Sequence, residues 1–194
     1  MEQIYQEIDV RLYQTASKRN ELLQLLADAR YTVTPESESL LLKPKFRSVL
    51  LQYLQYHSLR EVNQPTLFEL GNSELLTFFV THWSLTSECE KKLFAVKYRP
   101  YLKQYIKRGC LADAGNEVLF FNQVGMAYLR RLYISLYEFH SREAEVMLLE
   151  SEYEADLRLY IGQQHHMFPD LAEILATEHP DLYAQYIKHC PSHQ

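Results

Sequence analysis

The sequence predicts an all-α protein, an α-solenoid of about seven short αα-hairpins with a period of 26–28 residues, and three observations carry that expectation. Glycine and proline are scarce, five and seven in 194 residues, while Leu, Glu, Gln, Tyr and Arg recur at helical spacing. An aromatic residue followed by an aliphatic one returns at Tyr53-Leu54, Phe79-Val80, Tyr105-Ile106, Tyr133-Ile134, Tyr160-Ile161 and Tyr186-Ile187, in steps of 26, 26, 28, 27 and 26. Twelve positions before each aromatic stands another large apolar residue: Leu41, Leu67, Leu93, Phe121, Leu148 and Ile174.

In chain order, residues 1–35 read as a degenerate capping unit, in which Tyr13 lies twelve before Leu25 and Leu22 and Leu26 complete a stripe. Residues 36–190 hold six units and 191–194 a tail, all within one domain, since no linker divides the chain. Each unit opens with a short first helix on an apolar doublet: Leu41-Leu42, Leu67-Phe68, Leu93-Phe94, Leu148-Leu149 or Ile174-Leu175, with Asn122 breaking the doublet in the fourth unit. Helix breakers follow, at Pro44, Gly71-Asn72, Pro100, Gly125 and Pro180, and mark a tight turn inside the unit.

The second helix is built on the aromatic. Positions three before and four after it approximate an i, i+3, i+4, i+7 stripe: Leu50 and His57, Leu76 and Trp83, Leu102 and Gly109, Arg130 and Tyr137, Leu157 and Gln164, Tyr183 and Cys190. Arg130 makes the fourth unit the least regular. Six after the aromatic, Leu59, Leu85, Leu111 and Phe139 precede helix caps, and Ser87-Glu88-Cys89-Glu90 fits the S-x-x-E capping box. Isolated helices shorter than ~12–15 residues are marginal in water, so such hairpins must stack side by side to bury their stripes. Their period is shorter than the ~34 residues of tetratricopeptide repeats or the ~40–47 of HEAT and armadillo repeats.

The acid-led first helix (EAEVMLLE), the Gly-Asn turn (ELGNSELL) and a second helix ending in LxxYI resemble tandem short αα-repeat proteins of some bacteria, a largely uncharacterised family, over residues 36–190. The resemblance implies a solenoid and supplies no catalytic residues.

Other features bound the function. The start, MEQIYQEIDVRLYQ, has acids where a secretory peptide has a basic region, and no apolar run approaches the roughly 20 residues of a membrane span. Cys89, Cys110 and Cys190 are odd in number and widely spaced, which favours a reducing cytoplasm over a disulfide framework. His165-His166, His140, His179, His189 and His193 lack the H-E-x-x-H or C-x-x-C spacing of zinc sites, and no nucleophile elbow, Walker loop or dinucleotide fingerprint occurs. No catalytic residue, cofactor or metal ligand is therefore assigned.

Three observations suggest surfaces. Tyr56, Trp83, Tyr98, Tyr101, Tyr128, Tyr137 and Tyr153 fall near turns or stripe edges, where some would line a groove and the rest seal hairpin contacts. Residues 142–156 concentrate six carboxylates, whereas the second helices carry Lys103, Lys107, Arg108, Arg130, Arg131 and Arg158. Lys103, Arg131 and Arg158 stand two before the aromatic in successive units, so a stack would align them as a basic ridge, with Lys107 nearby, for an acidic peptide or a phosphate backbone. The ordinary alternative is a solvated helix face. A net charge of −5 argues against a dedicated nucleic-acid binder. The expectation is a non-catalytic protein-interaction scaffold with a protein or peptide partner; a nucleic-acid binder using the ridge, or an enzyme with a site assembled from distant units, are the alternatives. Solenoid ends could also pair two copies.

Overall fold

The computed structural model describes residues 5–189. Cys190, His193 and the 191–194 tail lie outside the described residues, as do the first four residues of the capping unit. Thirteen α-helices dominate the described residues, which also hold five 3-10 turns and one pair of three-residue strands. None of these helices is long and apolar enough to cross a membrane. The helices gather into two compact units, Met1–Cys89 and Glu90–Gln194.

The first unit departs from the expected capping hairpin. Strand β1 (Gln6–Ile8) pairs in parallel with β2 (Tyr31–Val33), in register Gln6 with Tyr31, Glu7 with Thr32 and Ile8 with Val33, and α1 (Ala16–Leu25) is the connection between them. The Tyr-Thr-Val run is β-branched and aromatic, and Pro35 ends it by opening α2 (Pro35–Leu41). Ile8 and Val33 turn inwards, while Glu7 and Thr32 face the other side of the pleat. The expected stripe on α1 is real in part: Leu22 and Leu26 are buried, whereas Tyr13 and Leu25 are only half-buried. Thr15 caps this helix by accepting from the Lys18 amide.

Next come α3 (Arg47–Leu54), α4 (Gln64–Glu69), α5 (Ser73–His82) and the start of α6 (Ser87–Leu93). Within this unit α3 packs against α1, α2 and α5, and α4 against α5. Gly71 adopts φ +61°, which a residue without Cβ takes at no steric cost, and Asn72 then caps α5 by accepting from the amides of Glu74 and Leu75.

The second unit contains α7 (Arg99–Arg108), α8 (Ala114–Phe121), α9 (Ala127–Ile134), α10 (Arg142–Leu148), α11 (Glu154–Gly162), α12 (Pro169–Glu178) and α13 (Pro180–His189). Here α9 packs on α7 and α11, α11 on α13, α8 on α10, and α12 on α13. Pro100 and Pro180 sit in the first turn of α7 and α13, where the missing amide is no loss, and Gly125 turns at φ +74° before α9.

All six periodic aromatics are buried, and each such side chain contributes about 1.5–3 kcal/mol of transfer free energy. So are five of the six apolar residues twelve before them; the sixth, Ile174, is 37% exposed. In α12 the inward face is Leu171, Ala172 and Leu175, the same pattern from the helix start as Ala144, Glu145 and Leu148 in α10, so the buried anchor is Leu175, one residue closer to its aromatic than expected. Leu59, Leu85, Leu111 and Phe139 are buried as the stripe requires, and Met167 fills the corresponding place before α12. Arg130, which breaks the expected apolar stripe, lies over the rings of Phe121 and Tyr153 and pairs with Asp156.

Candidate functional site

The strongest polar feature is a set of buried carboxylates, Glu38 in α2, Glu90 in α6, Glu117 in α8 and Glu145 in α10, which the sequence suggested only as helix-start acids. Ser87-x-x-Glu90 is not a capping box: α6 starts at Ser87, Thr86 accepts from the Cys89 amide, and the Glu90 side chain points into the core. There it accepts from Tyr105 Oη at 2.7 Å, the Ala112 amide at 2.9 Å and Asn116 Nδ2 at 2.8 Å. Glu117 accepts from Tyr133 Oη at 2.6 Å and from the amides of His140 and Ser141 at 2.9 and 2.7 Å. Glu38 accepts from Tyr53 Oη at 3.2 Å, the Arg60 amide at 3.1 Å, the Arg60 guanidinium at 3.0 Å and Asn63 Nδ2. A buried carboxylate is strongly unfavourable unless hydrogen-bonded on this scale.

The donors recur because the spacing recurs. The tyrosine lies 15 or 16 residues on, and the backbone amide 22 or 23. Each carboxylate thus ties its own second helix to the chain that enters the next pair. One position varies in a coordinated way: Gln64 stands where the acid would be and Phe79 where the tyrosine would be. Gln64 Oε1 still accepts from the Thr86 amide at 2.9 Å, so the tie survives without the charge or the hydroxyl.

A second tie starts just after the second helices. His57 Nε2 donates to the Tyr31 carbonyl at 2.8 Å, Trp83 Nε1 to Leu54 at 2.7 Å, Tyr137 Oη to Ile106 at 2.8 Å and His165 Nε2 to Ile134 at 2.6 Å. These satisfy carbonyls near helix ends that lack an intrahelical partner. Three of the edge aromatics therefore act as seals: Trp83, Tyr137 and the buried Tyr153. Tyr56 and Tyr128 are exposed, and Tyr98 and Tyr101 are half-buried against one another.

Protonation follows burial. Desolvation pushes the Tyr53 hydroxyl up to about 12 and raises Glu117 above the ordinary carboxylate range. Glu145 is pushed up to about 7, first by burial, against the pull of the Phe168 amide and the Tyr160 hydroxyl, with Asp170 and Glu138 adding repulsion. It is the one acid of the series with a thin donor set: Oε2 accepts from the Phe168 amide at 2.8 Å, and Oε1 is buried without a hydrogen-bond partner. The Tyr160 hydroxyl donates to the His166 carbonyl at 2.9 Å.

The basic ridge is partly neutralised. Arg131 Nε lies 2.9 Å from Asp156, Arg158 lies 2.6 Å from Glu154, and Lys103 Nζ sits 5.1 Å from the centroid of Tyr128. Lys107 is exposed on the last turn of α7, where Arg108 stacks on Tyr105. The helices carrying Lys103, Arg131 and Arg158 do pack in succession, but two of the three charges face carboxylates. The acidic segment supplies them: Glu154 and Asp156 are partners of this face and not a separate patch.

His165 and His166 are held by the protein as well. His165 and His166 flank Glu138, which accepts from the His166 amide and ring at 3.0 Å each. Among the described residues no group of three His, Cys, Asp or Glu side chains is placed to hold a metal ion. Comparison of the chain with family models, curated proteins and solved structures gives no match. The geometry is then the only guide to what the surface does.

What the geometry leaves available is apolar. In the turn before α9, Val124 is 90% exposed and Tyr128 64% exposed, beside a small recess of about 250 Å³ lined by Arg99, Pro100, Lys103, Gly125, Tyr128 and Leu129. Arg99 makes this turn rigid by donating to the carbonyls of Val124 and Gly125 at 2.9 and 3.2 Å. Sequence reasoning singled out Lys103 and Tyr128 for other reasons and missed Val124, a valine in an otherwise polar turn.

Proposed function

We propose that the protein is a non-catalytic scaffold that binds a protein or peptide partner, built as an α-solenoid of short αα-hairpins and related to the bacterial αα-repeat proteins it resembles. Supporting the repeat reading are the carboxylate-to-amide ties, which recur at a nearly constant 22 or 23 residues, and the packing of second helix on second helix inside each unit. The functional reading is carried by the turn before α9, where Val124 and Tyr128 present apolar surface on a backbone clamped by Arg99, with Lys103 alongside. Rigid, solvent-facing apolar residues next to a cation suit a partner with an apolar anchor and an acidic neighbour. The odd number and wide spacing of the cysteines fit a cytoplasmic setting.

Affinity purification of the tagged protein from its native cells, with and without nuclease, tests this when the wild type is run beside Val124→Asp/Tyr128→Ala. The expected result is a stoichiometric, nuclease-resistant protein partner that the double variant loses while its thermal midpoint is unchanged. Recovery that depends on nucleic acid and vanishes in the Lys103→Glu/Arg131→Glu/Arg158→Glu variant would overturn the scaffold in favour of the basic ridge.

A further inference from the structure

We propose that the first compact unit carries a site for an organic cation, an alkylammonium or guanidinium group, in the recess between the strand pair and the C-terminal end of α3. The recess has a volume of about 570 Å³, in the range of small-molecule sites, and Tyr5, Tyr53, Tyr56, His57 and Trp83 contribute its aromatic lining. This site is independent of the scaffold surface on the other unit.

Two of the rings are fixed before any ligand arrives. The His57 ring lies between Tyr53, stacked at 5.1 Å, and Tyr5, edge-on at 5.2 Å, and its Nε2 donates to the Tyr31 carbonyl. Trp83 is anchored by the 2.7 Å bond from Nε1 to the Leu54 carbonyl. A lining that does not have to be ordered on binding retains more of the interaction free energy.

The charge at the recess selects the ligand. Arg60 also lines it, but its guanidinium is committed to Glu38 at 3.0 Å and to the Val33 carbonyl at 3.2 Å, so that charge is already neutralised. Glu7 lines it too, and has no ion-pair partner among the described residues. The strand register places it there: Ile8 and Val33 take the core face, which leaves Glu7 and its neighbour Thr32 on the side of the recess. Burial lowers the His57 pKa, which keeps that ring neutral at neutral pH and adds no positive charge to the wall. Electron-rich ring faces together with one uncompensated carboxylate are the recognition chemistry of a cation–π site. An anion would meet Glu7 with no free positive charge to offset it.

The same cation could be a free small molecule or a lysine or arginine side chain of a partner. Trp83 is the only tryptophan and lines the recess, so its intrinsic fluorescence reports occupancy in the full chain. The protein is titrated at fixed ionic strength with tetramethylammonium, with tert-butanol as a neutral probe of similar shape, and with short peptides carrying one central lysine or arginine. We expect a saturable change with the cations and none with tert-butanol, a roughly tenfold weakening in Glu7→Gln, and no effect of Tyr128→Ala. Tighter binding of the peptides than of tetramethylammonium identifies a partner side chain as the occupant, and the reverse identifies a free cation. The absence of a saturable change, an equal response to tert-butanol, or unchanged affinity in a Glu7→Gln protein of wild-type thermal midpoint would overturn the site.

Discussion

Replacing Glu145 by Gln should stabilise the protein at pH 8 by several times as much as at pH 5. The carboxyl is fully buried, its Oε1 has no hydrogen-bond partner, and its pKa is pushed from an ordinary 4.5 up to about 7. With the folded pKa above the unfolded one, the native state holds a proton that the unfolded chain has released. Stability therefore falls as pH rises from about 4.5 to about 7, and the loss is complete above that window. At ~1.36 kcal/mol per pH unit the penalty reaches about 3 kcal/mol. Gln keeps an acceptor for the Phe168 amide and carries no charge, so the variant escapes the penalty. In a chain of this length about 3 kcal/mol corresponds to roughly 6–12 °C in Tm. Thermal melts of both proteins, followed by far-UV circular dichroism between pH 5 and pH 8, measure the difference directly. A variant less stable than wild type at pH 8, or a difference that does not change with pH, would refute the reasoning.

Glu90, with its full set of donors, should respond in the opposite sense. Glu90→Gln puts an amide NH2 among the three donors of Tyr105, Ala112 and Asn116, and should cost roughly 2–4 kcal/mol in a urea titration; adding Tyr105→Phe should return about 1 kcal/mol of that. Asn72→Ala removes the acceptor for the Glu74 and Leu75 amides at the start of α5, an expected loss of about 1 kcal/mol by the same measurement. Gly125→Ala forces a Cβ onto a backbone at φ +74° and to within 3.2 Å of Arg99 Nη1; about 1–2 kcal/mol should be lost, seen as a lowered Tm.

Much of the helical framework was legible because apolar burial leaves a period in the chain. Tyr53, Phe79, Tyr105, Tyr133, Tyr160 and Tyr186 are buried as their spacing implies, and Pro44, Gly71, Pro100, Gly125 and Pro180 sit at turns or first helical turns as their backbone chemistry implies. The strand pair escaped because two three-residue strands are too short to show alternation, although Tyr31-Thr32-Val33 has the composition for it. Ile174 is exposed because the connection from α12 to Tyr186 is one residue shorter than in the other pairs, which puts Leu175 in the anchor's place. The buried acids were visible and misread. A Glu in the first turn of a helix ordinarily favours the positive end of the dipole or closes a capping box, and only the distant Tyr and amide partners reveal that it is inside. The recess at Glu7 could not be anticipated without the strand register.

The coordinated change at Gln64 and Phe79 argues for what the acids do. Apolar stripes repeating at nearly equal intervals are compatible with several pairings, since one aromatic fits another's slot. A carboxylate that must find a hydroxyl and an amide at set distances along the chain accepts one pairing, and a mispaired one would be buried with its charge uncompensated. If their purpose were the hydroxyl bond itself, a neutral Gln facing a Phe would be a loss at that position. Gln64 instead keeps the 2.9 Å bond to the Thr86 amide, as Glu38, Glu90 and Glu117 keep theirs to Arg60, Ala112 and His140. The amide tie is the common element, and the tyrosine is there to compensate the charge when the residue making the tie is an acid. Glu145 keeps the same tie, to the Phe168 amide, while burial raises its pKa and its tyrosine donates to the His166 carbonyl.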